Sequence, residues 1–154
     1  MISRHTGDVF SSTHSLAHCV SADARMSAGI AKQFVSYFPI LLCLRSEHNI
    51  VGTAIPVCVG GRTIYNMVTK NCFWMKPTRF SIANSLRSML AHAVAVGITD
   101  ISMPEIGGGR DKMNFVRDVL PIIFEVFDAS SVNIHVYKFP FIPGVTRYVI
   151  RFYF

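Results

Sequence analysis

The sequence predicts an α/β fold with a mixed central sheet and helices on both faces. Apolar residues make up 51% of the 154 residues and charged residues only 16%, which is typical of a chain that buries a core. Segments with the pattern of strands alternate with segments that have helical periodicity. Two of the strands lead into helices through loops of small residues. In such sheets, ligands bind outside the carboxyl ends of the strands, where two such loops can face each other.

The first half predicts four strands and one helix. Ile30, Phe34 and Phe38 recur at helical spacing, and Pro39 ends that helix. Gly60-Gly61 separates two strand-like segments and predicts a hairpin turn. The predicted strands cover about 2–6, 15–20, 52–59 and 62–69, and the helix covers about 27–38.

The second half predicts a long helix from Thr78, with Gly97 as the residue that ends it. A strand at 98–103 stops at Pro104, and a glycine loop leads to a second helix at about 112–127. On local grounds, Asp111 is the expected N-cap of that second helix. Further strands are predicted at 132–138 and 145–154. The apolar stripe expected on the long helix is Phe80, Ala83, Leu86, Leu90 and Ala93.

The glycine loop, with the sequence Glu-Ile-Gly-Gly-Gly-Arg-Asp at 105–111, organises the chain. A strand, a glycine-rich loop and a helix form the arrangement in which backbone N–H groups converge on an anion. The loop lacks the Gly-Lys-Ser/Thr of a Walker A motif and the spacing of a dinucleotide fingerprint. Phosphate binding is one interpretation, and a plain glycine-rich turn is the other.

Charge and cysteine content narrow the class of protein. The net charge of +6 suits an anionic partner, but the basic residues are scattered, so a nucleic-acid surface is not indicated. No apolar run reaches the ~18 residues of a membrane span, and the start does not resemble a signal peptide. The cysteines contain no C-x-x-C pair, which favours reduced thiols in a cytoplasmic or nuclear protein.

Other residues with chemical potential have ordinary interpretations. His14, His92 and His135 show no metal-ligand spacing in the sequence, so no metal is expected. His18 and Cys19 lie in an apolar strand and are expected in the core rather than as a catalytic pair. Phe73 and Trp74 are expected either to stack on a base or to pack over the mouth of a cleft.

An ordered set of short segments resembles the macro domain family, and more narrowly its terminal ADP-ribose protein glycohydrolase branch. The resemblance covers roughly residues 5–139. It implies a three-layer α/β/α fold. The length predicts a single domain over 1–154, which is expected to be a monomer. The strand-like tail at 140–154 goes beyond the family pattern, and we expect either an extra C-terminal edge strand or a chain cut from a larger one. The segments are Gly7-Asp-Val-Phe10, Ser15-Leu-Ala-His-Cys-Val-Ser21, Arg25-Met-Ser-Ala-Gly-Ile-Ala31, Ile64-Tyr65, Val68-Thr-Lys70, Lys76-Pro-Thr78, Gly97-Ile-Thr-Asp-Ile-Ser-Met-Pro104, Ile106-Gly-Gly-Gly-Arg-Asp111 and Val136-Tyr137.

The resemblance implies a cleft for ADP-ribose. Asp8 would accept a hydrogen bond from the adenine amino group beside the backbone of Val9, and Phe139 would line the adenine end. Loops 21–30 and 105–110 would clamp the diphosphate and distal ribose. The implied ligand-binding residues are Asp8, Val9, Ser21, Met26, Ala28, Gly29, Ile30, Thr69, Glu105, Ile106, Gly107, Gly108, Gly109, Arg110 and Phe139.

The resemblance also implies a reaction. Members of this branch remove ADP-ribose esterified to Glu or Asp side chains of proteins, and they deacetylate O-acetyl-ADP-ribose. The positions of their nucleophilic lysine and of the aspartate that resolves the intermediate correspond to Lys70 and Asp111. The acyloxy group on the anomeric carbon leaves readily, so no metal or other cofactor is needed. A partly deprotonated lysine can attack that carbon, and a carboxylate can act as general base.

Three departures from the family pattern affect the site. Ser27 replaces a glycine, Gly108 replaces a small or thiol residue, and Glu105 brings a negative charge towards an anionic ligand.

Three other functions remain open. An ADP-ribose 1″-phosphate phosphatase would depend less on Lys70, and a binding module for ADP-ribose would tolerate loss of both Lys70 and Asp111. A nucleic-acid-binding domain would show affinity that falls steeply with salt.

Overall fold

The structure is a computed structural model that describes residues 1–26, 29–44, 49–107 and 111–139. Within these residues the chain forms a six-stranded sheet, three α-helices and three short helical turns. The turns are at Val9–Ser11 and Pro39–Leu44 (3₁₀) and at Phe115–Val119 (π). The strands are β1 (Ile2–Thr6), β2 (Ser15–Ser21), β3 (Thr53–Val59), β4 (Arg62–Lys70), β5 (Asp100–Pro104) and β6 (Asn133–Lys138), and the helices are α1 (Gly29–Tyr37), α2 (Arg79–Val96) and α3 (Leu120–Phe127).

The sheet is mixed, as the sequence predicts. Its strand order is β1-β6-β5-β2-β4-β3. Five strands are parallel to their neighbours, and the edge strand β3 pairs antiparallel with β4 through the predicted hairpin. Because the parallel strands share one direction, their carboxyl ends meet at one edge of the sheet, which we call the carboxyl edge. The opposite edge is the amino edge.

Two hydrophobic cores cover the two faces of the sheet. On one face, α2 and α3 bury Leu86, Met89 and Phe127. On the other face, α1 buries Phe34 against Leu16 of β2 and the rest of that core. Helices on both faces make the three α/β/α layers that the sequence predicts. Within the described residues, no helix is long and apolar enough to cross a membrane.

Helix α2 has the predicted ends but a different buried face. The Thr78 side chain accepts a hydrogen bond from the Ser81 N–H in a capping box, and Gly97 ends the helix at φ 79°. The predicted stripe is wrong at Phe80, which is 75% exposed. The hydroxyls of Ser81 and Ser85 donate to carbonyls of β4, so the face that carries these serines turns towards the sheet. Phe80 lies about 100° around the helix from that face.

The helix after the glycine loop starts later than predicted. Its first turn is a π-turn at Phe115–Val119, and α3 follows from Leu120. The N-cap expected at Asp111 is wrong, because the side chain of Asn114 accepts the Arg117 N–H instead. Strand β5 also starts later than predicted, at Asp100, and it includes Pro104. The strand predicted at 145–154 lies outside the described residues.

Candidate active site

The carboxyl edge brings together the loops that the sequence singles out. Asp8 follows β1, and Phe139 follows β6. The loop that starts at Ser21 follows β2, and Glu105 follows β5. Lys70 is the last residue of β4. The described residues of the predicted site therefore lie at or just beyond one edge of the sheet.

Lys70 and Asp111 form an ion pair at this edge. The Nζ atom of Lys70 lies 2.6 Å from Oδ1 of Asp111, and the two side chains are only 12% and 13% exposed. Lys70 pairs in register with Ser21 of β2, and its carbonyl accepts the Ala22 N–H at 2.8 Å. The backbone of Lys70 is therefore fixed by the sheet, and its side chain contacts the carboxylate of Asp111, which follows the glycine loop. One site holds both residues.

Cys19 lies near this pair but is not suited to act as a nucleophile. It packs against the core beneath α2 and α3. Burial, together with the negative charge of Asp111, raises the pKa of the Cys19 thiol to about 12. The Thr69 hydroxyl is buried beside this thiol, and within the described residues no other polar atom contacts that hydroxyl. Because of this raised pKa, the thiol stays protonated at neutral pH. Cys19 is therefore a poor nucleophile, since the thiolate is the reactive form.

His18 lies on the other face of the sheet from Cys19, so the two are not a pair. Its ring stacks on Phe34 at a centroid distance of 3.9 Å. Asn66 donates its amide hydrogens to the carbonyls of Ile55 and Ile64, and its oxygen accepts from Nε2 of His18 at 2.6 Å. Among the residues that the structure describes, Nδ1 of His18 has no hydrogen-bond partner. Burial lowers the pKa of His18 to about 4, so the ring is neutral. The expectation of a core histidine is confirmed.

Asp23 organises the loop after β2, and sequence analysis missed it. It accepts hydrogen bonds from the Ser21 hydroxyl and, at 3.2 Å, from the Phe73 N–H. Burial by itself raises the pKa of Asp23, but these bonds and one from the Arg25 N–H outweigh it and lower the pKa. An aspartate two residues beyond a strand is a typical loop organiser, which was the available signal. Asp23 thus joins the loop after β2 to the segment after Lys70.

Several of the predicted binding residues point into the core. Val9, Met26 and Ile106 are at most 6% exposed, so only their backbones are available to a ligand. The Ser21 hydroxyl is already bonded to Asp23. Asp8 caps the turn at Val9–Ser11, where its Oδ1 accepts the Phe10 N–H at 3.0 Å.

The loop after β5 is shaped by an ion pair and by a glycine. Oε2 of Glu105 lies 3.0 Å from Nη2 of Arg4, so the negative charge that departs from the family pattern is neutralised. Gly107 adopts φ +81°, and its carbonyl accepts the Met113 N–H at 2.7 Å. A Cβ at Gly107 would lie 3.3 Å from atoms of both Met113 and Val119. This position therefore favours glycine twice, through its backbone angle and through its neighbours.

The remaining site residues are placed only in part. Gly29 begins α1 at φ 64°, and the half-buried Ile30 packs on the core beside it. Residues Ser27, Ala28, Gly108, Gly109 and Arg110 lie outside the described residues. Trp74 is 70% exposed, so the expected packing over a cleft mouth is wrong for this residue. The guanidinium of Arg25 instead lies over the ring of Phe73, with its central carbon 5.0 Å from the ring centroid.

Solved structures with the same architecture define the fold. The macrodomain of Thermus aquaticus DarG matches with a TM-score of 0.80 at 20% identity, covering 89% of this chain and 97% of that one. Thermosipho africanus DarTG, solved in complex with ADP-ribose, matches with a TM-score of 0.77 at 16% identity, covering 94% of this chain and 43% of that one. At these identities the likeness shows the fold alone, which is that of a macrodomain.

Sequence similarity identifies the branch. The human ADP-ribose glycohydrolase OARD1 is 40% identical over 133 residues, which make up 85% of this chain and 87% of that protein. The bovine protein of the same name matches over the same lengths. No protein-family model matches the chain. The chain belongs to the macro domain family, in the terminal ADP-ribose glycohydrolase branch that OARD1 represents.

Proposed function

We propose that this protein is a hydrolase that removes ADP-ribose from ester linkages to Glu or Asp side chains of proteins, with Lys70 as nucleophile and Asp111 as general base. The observation that carries the proposal is the 2.6 Å contact between Lys70 and Asp111, at the carboxyl edge of a macrodomain sheet. Ligands of α/β sheets bind at that edge. The names of the relatives and of the solved ADP-ribose complexes support ADP-ribose as the ligand.

The first half of the reaction uses the lysine. Asp111 accepts a proton from the Lys70 ammonium, and the free amine attacks the anomeric carbon of the distal ribose. A carbon–nitrogen bond forms while the bond to the acyl oxygen breaks. The protein carboxylate leaves with the bonding electrons and takes the proton from Asp111, which is again a carboxylate. The distance of 2.6 Å between Nζ of Lys70 and Oδ1 of Asp111 puts the two groups within direct reach for this transfer. No metal is needed, since the carboxylate is a good leaving group.

The second half returns the enzyme to its starting state. A water molecule attacks the carbon that Lys70 now holds, and Asp111 takes the proton from that water. The carbon–nitrogen bond breaks, the Lys70 amine takes the proton from Asp111, and ADP-ribose is released, which restores the ion pair. Deacetylation of O-acetyl-ADP-ribose would use the same residues when acetate is carried on the anomeric oxygen. Substrate is held by Asp8 at adenine and by the backbones of the loops after β2 and β5.

Hydrolysis of a glutamate-modified protein tests this function directly. Wild type should release ADP-ribose, while Lys70→Ala and Asp111→Ala should each lose nearly all turnover. Lys76→Ala and Asp128→Ala are matched controls, because both residues are exposed and neither takes part in the ion pair. Both controls should keep wild-type rates.

Binding measurements separate the remaining alternatives. Calorimetry with free ADP-ribose should show that Lys70→Ala and Asp111→Ala still bind the ligand. Absence of release by wild type, together with normal ADP-ribose binding, would replace the hydrolase by a binding module. Release of phosphate from ADP-ribose 1″-phosphate without release from protein esters would make the protein a phosphatase.

A further inference from the structure

A cluster of possible metal ligands lies far from the proposed active site. His14, Asp100 and His135 each offer one ligand atom, and these atoms all lie within 4.8 Å of one another. The rings of His14 and His135 have centroids 4.5 Å apart, and Nε2 of His135 donates to Oδ1 of Asp100 at 2.9 Å. All three residues are half-buried. We call them the amino-edge cluster.

We propose that the amino-edge cluster binds a divalent transition-metal ion, with zinc as the best match. Two imidazoles and one carboxylate are a donor set that Zn²⁺ accepts, with a fourth position open to water. Zinc bonds of about 2.0–2.2 Å place tetrahedral ligand atoms about 3.4 Å apart, so the cluster has to close by about 1.4 Å at its widest. Small side-chain rotations would achieve this.

The surrounding hydrogen bonds already orient the two rings for a metal. Nδ1 of His135 contacts the Ser3 hydroxyl at 3.0 Å, and Nδ1 of His14 contacts the Ser102 hydroxyl at 3.2 Å. Ligating histidines usually bond their second ring nitrogen to such a partner, which fixes the ring and the tautomer. A hydroxyl can accept or donate, so it suits either tautomer. Nε2 of His14 is thereby left for the ion, and Nε2 of His135 becomes a ligand when that ring carries its hydrogen on Nδ1 and donates it to the Ser3 hydroxyl.

The ligand atoms are available without breaking other structure. Within the described residues, Nε2 of His14 has no hydrogen-bond partner, while its backbone carbonyl accepts from Arg62 at 3.2 Å. An ion would replace the bond between His135 and Oδ1 of Asp100. The carboxylate also accepts from the Asn133 amide at 3.3 Å and from the Thr99 hydroxyl at 2.8 Å, and these donors hold it in place. The cost of opening the cluster is therefore small.

The cluster and the proposed active site lie at opposite edges of the sheet. Asp100 is the first residue of β5, and His14 immediately precedes β2, so both lie at the amino edge. Lys70 ends β4 at the carboxyl edge. A bound ion would join β5, β6 and the segment before β2, and it would stabilise the folded state by mass action. Linear spacing could not reveal the site, because each ligand comes from a different segment.

Titration of tag-free, metal-stripped protein with Zn²⁺ tests the proposal. Wild type should bind one Zn²⁺ per chain by calorimetry, and its melting temperature should rise with Zn²⁺. His14→Gln, Asp100→Asn and His135→Gln should each weaken binding at least tenfold. His92→Gln is the matched control, because His92 bonds to the Tyr65 hydroxyl outside the cluster and should leave Zn²⁺ binding unchanged.

Co²⁺ provides a spectroscopic readout that separates this cluster from the free cysteines. Wild type with Co²⁺ should show a visible d–d band without a thiolate charge-transfer band. For any variant that melts early without metal, the comparison is the rise in melting temperature that Zn²⁺ causes. Absence of Zn²⁺ binding by wild type, equal binding by the three cluster variants, or a thiolate band with Co²⁺ would each overturn the proposal.

Discussion

The peptide N–H of Ala22 donates to the carbonyl of Lys70 at 2.8 Å, which fastens the loop after β2 to the end of β4. The contact extends the sheet register by one bond beyond the paired residues Ser21 and Lys70. Asp23 adds a second attachment through the Phe73 N–H. The loop proposed to hold the distal ribose and the proposed nucleophile therefore form one rigid unit, so a change in one should affect the other.

Asp23→Ala should weaken this unit. We expect lower affinity for ADP-ribose and lower kcat together, because the loop and the strand end lose a shared acceptor. The stability loss should be about 1 kcal/mol or less, since Asp23 is largely exposed. Calorimetry, turnover and a urea melt measure the three effects. Asp128→Ala is the control, and unchanged kcat in Asp23→Ala would show that the loop does not position Lys70.

Lys70→Arg separates the charge of Lys70 from its nucleophilicity. Arginine can keep the ion pair with Asp111, but its guanidinium stays protonated and cannot attack carbon. We expect ADP-ribose binding and the melting temperature to stay near wild type, while ester hydrolysis falls at least a hundredfold. Single-turnover assays on a glutamate-modified protein measure the rate. Substantial hydrolysis by this variant would assign Lys70 an electrostatic role.

Gly107→Ala should destabilise the protein and distort the loop after β5. The positive φ costs about 1 kcal/mol for alanine, and contacts of 3.3 Å with Met113 and Val119 add to this. Gly61→Ala is a matched control, because Gly61 has φ +83° and, in the part of the chain that the structure describes, no atom lies within 4 Å of an added Cβ. Denaturant melts should show a larger loss for Gly107→Ala. Equal losses would mean that the backbone angle alone matters.

Stability should fall as pH decreases from about 6.5 to about 4, and His18 should cause part of that fall. The pKa of His18 is about 4 in the folded state against an ordinary value of 6.5, so the unfolded state binds more protons in this window. Linkage then lowers the free energy of unfolding by up to about 3 kcal/mol. Urea melts across this range measure the slope. His18→Gln should flatten it, and an unchanged slope would contradict the assignment.

Arg4→Ala should weaken ADP-ribose binding severalfold without a large stability loss. The change leaves the Glu105 charge unpaired near the proposed diphosphate site, whereas the exposed ion pair contributes at most about 1 kcal/mol to folding. The double variant with Glu105→Ala should recover most of the affinity. A double-mutant cycle by calorimetry measures the coupling. Additive effects would show that Glu105 does not face the ligand.

The sequence by itself determined the class of fold and most of its elements. These predictions rest on local sequence signals, and the structure has the elements that they predict. The signals are the strand and helix periodicity, the Gly60-Gly61 turn, and the helix ends at Thr78 and Gly97. The ordered motifs identified the family and named Lys70 and Asp111. Their meeting was expected only from the rule that parallel strands bring their carboxyl ends to one edge.

Only the tertiary structure decided which groups face one another. The helix cap lies at Asn114 and not at Asp111, three residues away. Two other contacts join segments that are distant in the chain: the ion pair of Arg4 with Glu105, and the hydrogen bond that the Phe73 N–H donates to Asp23. Asp100 and His135 lie 35 residues apart in the chain and share a hydrogen bond because β5 and β6 are adjacent. Side-chain contacts across strands depend on sheet order and register, and neither is encoded in the spacing of the residues along the chain.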